Sequence, residues 1–308
     1  MLTVRSILCP VDFSDFSVRA YDYAQSLADH YHASVSLLHV IPPLEAQYPY
    51  GGINNIYTRV SPRLEDYAAD EIKRFAAEHT HTGIKPTVLA RVGPVRETIL
   101  QLALEKKADL ITMGTHGHPE VNPGLLGSVT EYVLRHTACP VLTVRKPKHD
   151  FVNPEDKERD KVHLKKILFC SDLSLFSERA LHYALSLATE YKAELTLLHV
   201  LEHPHGEKDI EVQTAHVKTE MEKAIPKEAY GCCTIKLLVR AGKAYEQIVK
   251  YASESETDLI VMGIHGRNVV DLTLFGSTTH RVLQLGSCPV ITVALEKLAG
   301  ELAERKIA

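Results

Sequence analysis

Short apolar runs separated by amphipathic stretches recur along the 308-residue chain. The runs are rich in valine, isoleucine and leucine and are mostly continuous, which is typical of strands buried on both faces of a parallel sheet. They predict strands over residues 4–11, 34–40, 85–92, 109–113 and 140–144, and again over 166–170, 194–200, 235–239, 258–262 and 289–293. Helix-spaced apolar residues predict helices over 17–30, 63–78, 95–106 and 128–136. This alternation predicts an α/β fold with one open parallel sheet in each half and helices on both faces.

The two halves repeat the same landmarks, which indicates a domain duplication. Asp12 matches Asp172 at an offset of 160, whereas Gly93 matches Gly242 at an offset of 149. The first half therefore holds eleven extra residues between these landmarks. The segment 41–61 is rich in proline, tyrosine and glycine, and we expect it to be a long loop beside the functional site.

Composition and charge place the domain boundaries and limit the function classes. We predict domains over 1–146 and 165–295, a charged linker over 147–164 and a short helical tail over 296–308. A net charge of −4, with no long Lys/Arg block, disfavours a nucleic-acid or anionic-membrane surface. No apolar run approaches about eighteen residues and no signal-peptide pattern is found, so we expect a soluble, cytoplasmic protein. The six cysteines do not form a disulfide pattern.

Each half carries the same glycine spacing between a predicted strand and a predicted helix. The residues are Gly114, Gly117, Gly127 and Ser128 in the first half, and Gly263, Gly266, Gly276 and Ser277 in the second. Glycine lets main-chain N–H groups approach an anion closely, and the strand, glycine loop, helix order is that of phosphate-binding loops. Ser128 and Glu131 also have capping-box spacing, which would satisfy the helix start without a ligand.

With these motifs in register twice, the chain resembles the universal stress protein family in its tandem two-domain form. The resemblance rests on Asp12-Phe-Ser14 and Asp172-Leu-Ser174, on His39-Val40 and His199-Val200, and on both glycine signatures. It implies a five-stranded parallel sheet of order 3-2-1-4-5 in each half, with a ligand crevice between the ends of strands one and four.

The resemblance also implies the nucleotide contacts. The predicted set is Pro10, Val11, Asp12, Val40, Met113, Gly114, His116, Gly117, His118, Gly127, Ser128, Val129 and Thr130 in the first half, and Ser171, Asp172, Val200, Met262, Gly263, His265, Gly266, Arg267, Gly276, Ser277, Thr278 and Thr279 in the second. The aspartates would face the ribose, the valines the adenine, and the helix-start hydroxyls the phosphates. The alternative for each aspartate is a helix-cap or turn role.

The loop after the second glycine differs between the halves. His118 stands in the first half where Arg267 stands in the second. Because arginine is always charged and histidine is largely neutral near pH 7, we hypothesise that the second site holds triphosphate at least as tightly at neutral pH. Mg²⁺ would come with the nucleotide. Three His-x-His pairs invite a zinc hypothesis, but no Cys or carboxylate set completes a site by spacing, and solvated loop histidines are favoured.

Three functions follow from this resemblance and these motifs. We expect an ATP-binding stress-response regulator, with adenine nucleotide and an unknown protein as partners and no catalytic residues. The alternatives are a slow ATPase or autophosphorylating enzyme, and a nucleotide-free interaction scaffold. The chain lacks a Walker loop, a kinase catalytic set and a nucleophile elbow, so efficient phosphoryl transfer is not expected. Strand five leaves a sheet edge, and a tandem chain can pair these edges internally as a pseudo-dimer, with further oligomers also open.

Overall fold

The computed structural model describes residues 3–43, 54–116, 126–145, 151–152, 162–264 and 276–294. Within these ranges strands and helices alternate, and the predicted α/β class is confirmed. In the same ranges, no helix combines the length and the apolar character that crossing a membrane requires.

The first half contains five strands and four helices in its described residues. The strands are Ser6–Pro10 (β1), Ser34–Ile41 (β2), Thr87–Val92 (β3), Leu110–Gly114 (β4) and Val141–Val144 (β5), and the helices are Asp15–Tyr31 (α1), Asn54–His79 (α2), Val95–Glu105 (α3) and Ser128–His136 (α4). In β1, Ile7, Leu8 and Cys9 are all 0% exposed, so both faces of the strand are buried, as its continuous apolar run predicts.

The second half repeats this order. Its strands are Lys166–Cys170 (β6), Glu194–Leu201 (β7), Ile235–Ala241 (β8), Leu259–Gly263 (β9) and Val290–Val293 (β10), and its helices are Leu175–Tyr191 (α5), Glu207–Ala224 (α6), Ala244–Glu254 (α7) and Ser277–Leu285 (α8). A short 3₁₀ turn, Lys227–Gly231, precedes β8.

All ten strands belong to one sheet, of order β3-β2-β1-β4-β5-β10-β9-β6-β7-β8. Within each half the neighbouring strands are parallel, and their order is the 3-2-1-4-5 order that the resemblance implies. The two five-stranded halves are not separate sheets, because β5 and β10 pair with each other in antiparallel orientation. The outer edges of the sheet are therefore β3 and β8.

The pairing of β5 with β10 relates the halves by a pseudo-two-fold axis. Leu142 lies opposite Ile291, and these are equivalent positions of the two halves. A residue that faces its own equivalent marks an isologous contact. Because β5 and β10 are antiparallel, the strands of the two halves point in opposite directions. The carboxyl ends of the first-half strands therefore lie at one end of the sheet and those of the second-half strands at the other, and a ligand crevice at those ends would be present once at each end.

Helix α2 corrects one prediction. The segment 41–61 was expected to be a loop, but α2 begins at Asn54 and continues to His79. Ile56 and Val60 are four residues apart, which is helix spacing, and the tyrosine, glycine and proline content of the segment obscured it. Part of the extra length of the first half thus lies in α2, which has 26 residues where its counterpart α6 has 18.

Candidate functional site

Between the carboxyl ends of β1 and β4 the chain leaves the sheet in two directions, and we call this place the first crevice and its equivalent in the second half the second crevice. After β1, the Val11 N–H donates to the Leu38 carbonyl at 2.8 Å, toward β2. After β4, the Thr115 N–H donates to the Val144 carbonyl at 2.9 Å, toward β5. This divergence is the topological switch point of an open α/β sheet, the usual place for a ligand.

The second half repeats both bonds. The Ser171 N–H donates to the Leu198 carbonyl at 2.9 Å, and the Ile264 N–H donates to the Val293 carbonyl at 3.2 Å. The chain therefore has two crevices of the same construction.

Asp12 and Asp172 form a tight turn at the start of α1 and α5. Asp12 Oδ1 accepts hydrogen bonds from the Ser14 N–H at 3.1 Å, from the Ser14 hydroxyl at 2.6 Å and from the Ser17 hydroxyl. Phe13, between them, has a φ of 65°, a left-handed conformation that is uncommon outside glycine. One carboxylate oxygen thus orders the turn, which is the turn role given as the alternative for Asp12, while Ser14 is the N-cap of α1 and Asp12 itself remains exposed.

The second turn matches the first. Asp172 Oδ1 accepts from the Ser174 N–H at 3.0 Å, from the Ser174 hydroxyl at 2.6 Å and from the Ser177 hydroxyl. Ser17 and Ser177 were not predicted as site residues. The signal was present, since both halves read Asp-x-Ser-x-x-Ser from the aspartate onward.

Two histidines hold the ends of β1 and β6 from the neighbouring strand. His39 Nδ1 lies 2.8 Å from the Val11 carbonyl, and His199 Nδ1 lies 2.8 Å from the Ser171 carbonyl. Because a carbonyl only accepts, Nδ1 must carry the proton in both rings. The histidines that carry the resemblance therefore position the strand ends.

Gly114 is required by helix packing. A Cβ placed on Gly114 would lie 2.6 Å from the Phe16 Cβ of α1, which is closer than side chains tolerate. The Gly114 carbonyl accepts a hydrogen bond at 2.8 Å from the Thr130 hydroxyl of α4. In the second half the Gly263 carbonyl accepts from Thr279 at 3.0 Å. Thr130 and Thr279, predicted near phosphate, are buried and join a strand end to a helix start.

Gly127 and Gly276 are the N-cap residues of α4 and α8, with no side-chain hydrogen bond at either cap. The Gly127 N–H donates to the Thr115 carbonyl at 2.7 Å, and the Gly276 N–H donates to the Ile264 carbonyl at 3.2 Å. These bonds close the glycine loop at its base. The next residues, including Ser128, leave their N–H groups at the helix N-terminus, where partial positive charge favours anions.

The capping box predicted at Ser128 is wrong. The helix starts one residue earlier than that motif requires, with Gly127 as the cap and Ser128 as the first helical residue. The Glu131 carboxylate instead pairs with Arg135 at 2.5 Å, one turn further along α4. The hydroxyls of Ser128 and Ser277 belong to exposed residues.

The remaining predicted residues fall into three groups. Val11, Val40, Met113 and Met262 are buried, and Pro10, Val129, Ser171, Val200 and Thr278 are half-buried around the crevices. His116 lies beside Phe16, with ring centroids 5.4 Å apart, and its Nδ1 is 3.0 Å from the Thr115 hydroxyl. Gly117, His118, His265, Gly266 and Arg267 lie outside the described residues.

The thiols beneath the crevices are not nucleophiles. Burial raises the pKa of Cys9 in β1 to about 12, and burial also raises the pKa of Cys170 in β6. Both therefore stay protonated at physiological pH. Across the described ranges, no three His, Cys, Asp or Glu side chains cluster as metal ligands would.

Comparison with known proteins finds one family across both halves. The model of the universal stress protein family matches residues 3–145 and, separately, residues 163–294. A universal stress protein of Methanocaldococcus jannaschii is 32% identical over 148 residues, which cover 47% of this chain and 85% of that protein. One from Synechocystis is 26% identical over 312 residues, covering 94% of this chain and 99% of that protein.

A solved structure supports the same fold over nearly the whole chain. The crystal structure of a universal stress protein from Archaeoglobus fulgidus superposes with a TM-score of 0.67 at 23% identity, covering 94% of this chain and 98% of that one. With the family model matched once in each half and strand order 3-2-1-4-5 in both, the chain belongs to the universal stress protein family.

Proposed function

We propose that the chain is a nucleotide-binding regulator with one adenine-nucleotide site in each crevice, ATP being the expected ligand. The observation that carries the proposal is the helix start at Gly127 and Gly276. In both halves a helix N-terminus without a side-chain cap lies beside a loop closed at its base. Such a start offers main-chain donors and positive potential to a phosphate chain.

The rest of the first crevice suits the other parts of a nucleotide. Exposed Asp12 lies at the end of β1, where its carboxylate can accept hydrogen bonds from ribose hydroxyls. Buried Val40, in the adjacent strand, offers an apolar edge to a base. Mg²⁺ would be held chiefly by the phosphates. Family membership supports this assignment, with the stress response as its setting.

An enzymatic role is the competing proposal. Thr130 and Thr279 are buried and donate to main-chain carbonyls, so they are poorly placed as phosphoryl acceptors. Ser128 and Ser277 are exposed, but among the described residues no general base contacts them. The arrangement therefore supports binding over phosphoryl transfer.

Substituting aspartate at the first residue of α4 or α8 should weaken nucleotide binding without lowering stability. Ser128→Asp places a negative charge where phosphate would lie, yet aspartate is favourable in the first turn of a helix. We expect it to weaken ATP binding at the first site about tenfold or more while stability is kept, and Ser277→Asp to do the same at the second.

One control accompanies these variants. Ser253→Asp adds the same charge at an exposed position of α7, away from both helix starts. It should bind ATP within about twofold of the parent protein in isothermal titration. If Ser128→Asp and Ser277→Asp also bind normally, the helix starts do not hold phosphate and the proposal is wrong.

The single-site variants also test the prediction about His118 and Arg267. With one site disabled, ATP affinity can be measured at the other across pH. The first site should tighten as pH falls and His118 gains its proton, whereas the second should change little because arginine stays charged. A stronger first site at pH 7.5 would contradict the charge argument.

A further inference from the structure

Two adjacent cysteines follow the 3₁₀ turn that precedes β8. Cys232 caps the turn and is exposed, whereas Cys233 is half-buried and packs against the core on one face of the sheet. The chain has six cysteines, all of them in described residues and none in a disulfide, and Cys232 and Cys233 are the only two that are neighbours in sequence. The chain thus carries one pair of adjacent thiols, and one member of the pair faces solvent.

The turn holds both thiols at consecutive positions. Cys232 Sγ lies 3.4 Å from the Glu228 carbonyl oxygen, and Cys233 Sγ lies 3.7 Å from the Ala229 carbonyl oxygen. The N–H groups of both cysteines donate to that same Ala229 carbonyl, at 3.0 and 3.2 Å. The two side chains therefore leave neighbouring positions of a single turn and contact neighbouring carbonyls of it.

The surroundings of the two thiols differ, and this difference sets an order of reaction. A dissolved oxidant reaches Cys232 first, because Cys232 is the exposed member of the pair. The Cys233 thiol is turned toward α5, where it is within hydrogen-bond reach of Thr189, and burial together with the neighbouring Cys232 raises the pKa of Cys233. A solvent-accessible cysteine beside a second, resolving thiol is the usual arrangement of redox-sensitive cysteines.

The other four cysteines are shielded from such a reaction. Cys9, Cys170 and Cys288 are buried, and burial raises the pKa of each thiol. Cys139 is half-buried, its thiol donates to the Ala108 carbonyl at 3.0 Å, and burial raises the pKa of Cys139 to about 12. Because the thiolate is the reactive form of cysteine, oxidation of the folded chain should be confined to the adjacent pair.

We propose that Cys232 and Cys233 form an oxidation site for hydrogen peroxide, which converts the two thiols to a reversible disulfide between adjacent residues. The Cys232 thiolate attacks one peroxide oxygen, the O–O bond breaks, Cys232 becomes a sulfenic acid, and the leaving hydroxide takes up a proton to form water. The Cys233 sulfur then attacks the sulfenic sulfur, the S–S bond forms and a second water leaves. The two thiols thus lose two electrons and two protons, and the peroxide is reduced to two waters.

The disulfide formed by this pair should be easy to reduce. Neighbouring Cα atoms are about 3.8 Å apart, closer than the separation of about 4.4 Å at which ordinary disulfides begin. Strain of this kind makes the bond labile toward thiols. Closure also draws the Cys233 sulfur away from Thr189 of α5, so oxidation should loosen the start of β8, an outer strand of the sheet.

Treatment of the folded full chain with hydrogen peroxide, followed by intact-mass analysis and a thiol count, tests this site. The parent protein should lose two thiols and the mass of two hydrogen atoms, and dithiothreitol should restore both. Cys233→Ser should instead gain one oxygen at Cys232, as a sulfenic acid that dimedone traps. Cys232→Ser should react at least about tenfold more slowly, because its remaining thiol at this site is half-buried.

Cys139→Ser is the matched control, because it removes a half-buried thiol elsewhere and should react as the parent does. The same thiol count checks folding, since the shielded cysteines of every variant should react only after denaturation. In hydrogen exchange, the first amides of β8 should exchange about threefold faster or more in the oxidised parent protein than in the reduced one.

Three other results would each overturn the proposal. A sulfenic acid that persists at Cys232 of the parent protein, with Cys233 still reduced, would mean that the pair does not close. A disulfide-linked dimer of the parent would mean that the exposed thiol reacts between chains. Equal oxidation rates in the parent and in Cys232→Ser would mean that peroxide attacks another cysteine first.

Discussion

At the scale of single residues, the crevice depends on buried hydroxyls that hold a carboxylate. Ser17 is 4% exposed, and its hydroxyl donates to Asp12 Oδ1 from the first turns of α1. Ser17 also donates through its N–H to the Ser14 hydroxyl at 3.3 Å. These bonds fix the orientation of Asp12 before any ligand arrives, so Ser17 is a positioning residue.

Ser17→Ala should therefore lower both stability and affinity. A buried hydrogen bond to a charged group contributes about 1.5–3 kcal/mol, and urea unfolding should show a loss of this size. Ser253→Ala, on the exposed face of α7, should change stability by less than about 0.5 kcal/mol. A Ser17→Ala protein as stable as this control would mean that the short contact with Asp12 does not stabilise the turn.

A buried carboxylate in α1 makes stability depend on pH. Burial raises the pKa of Asp22 above its ordinary value, although Arg19 and His81 oppose the rise. The folded state thus binds this proton more tightly than the unfolded state. The contribution of Asp22 to the free energy of unfolding is therefore greatest below its ordinary pKa and is lost as pH rises through its pKa in the folded state.

Asp22→Asn should consequently be more stable than the parent at pH 7, with the gain disappearing near about pH 3.5. Urea unfolding across this range measures it. Asp70→Asn is the control, because the Asp70 side chain is 71% exposed beside Lys73. If the stability of Asp22→Asn relative to the parent is lower at pH 7 than at acid pH, the attraction of Arg19 and His81 for the charged Asp22 carboxylate outweighs the effect of burial.

At the scale of elements, α1 packs so closely on β4 that only glycine fits at position 114. The contact between Gly114 and Phe16 places the start of α1, and with it Asp12, against the glycine loop. Gly114→Ala should lower the free energy of unfolding by about 1–3 kcal/mol, as overpacking does.

Gly83→Ala is the matched control, because a Cβ at Gly83 would have no atom within 4 Å. It should be neutral or stabilising by about 0.4–1 kcal/mol. Thermal and urea unfolding of the two variants, side by side, measures the difference. Equal stability would mean that α1 moves away from β4 at no cost.

Much of this element-level arrangement was predictable from the sequence. Continuous apolar runs locate the strands because both faces of each are buried, and the duplicated glycine spacing locates the two loops. The start of α4 was predicted as Ser128, but its cap was not, since a Ser-x-x-Glu spacing does not reveal that Gly127 makes the cap. The hydrogen bond from Thr130 to the Gly114 carbonyl was not predictable, because the two residues are distant in sequence.

At the scale of the molecule, the halves share their cores. Leu142 and Ile291 belong to the core on one face of the sheet, and Val141 and Val290 belong to the core on the other. The Thr143 hydroxyl also donates across the axis to the Val290 carbonyl at 3.1 Å. The two halves thus share a continuous hydrophobic interior and do not meet through a polar contact between separate domains.

Calorimetry should therefore record one unfolding transition, with equal calorimetric and van't Hoff enthalpies. ATP should raise the midpoint of the whole transition, because ligand bound to either half stabilises the shared fold. The Ser128→Asp plus Ser277→Asp protein serves as the control and should show no such rise. Two resolved transitions would contradict a shared core.

The number of nucleotides bound per chain tests the central claim most directly. Nucleotide should be released from freshly purified protein and identified by chromatography, and ATP titrated into the stripped protein by isothermal calorimetry. We expect two adenine nucleotides per chain in the parent protein, one in each single aspartate variant and none in the double variant. No heat of binding in the parent, or a parent stoichiometry unchanged in the double variant, would contradict two nucleotide crevices built on Gly127 and Gly276.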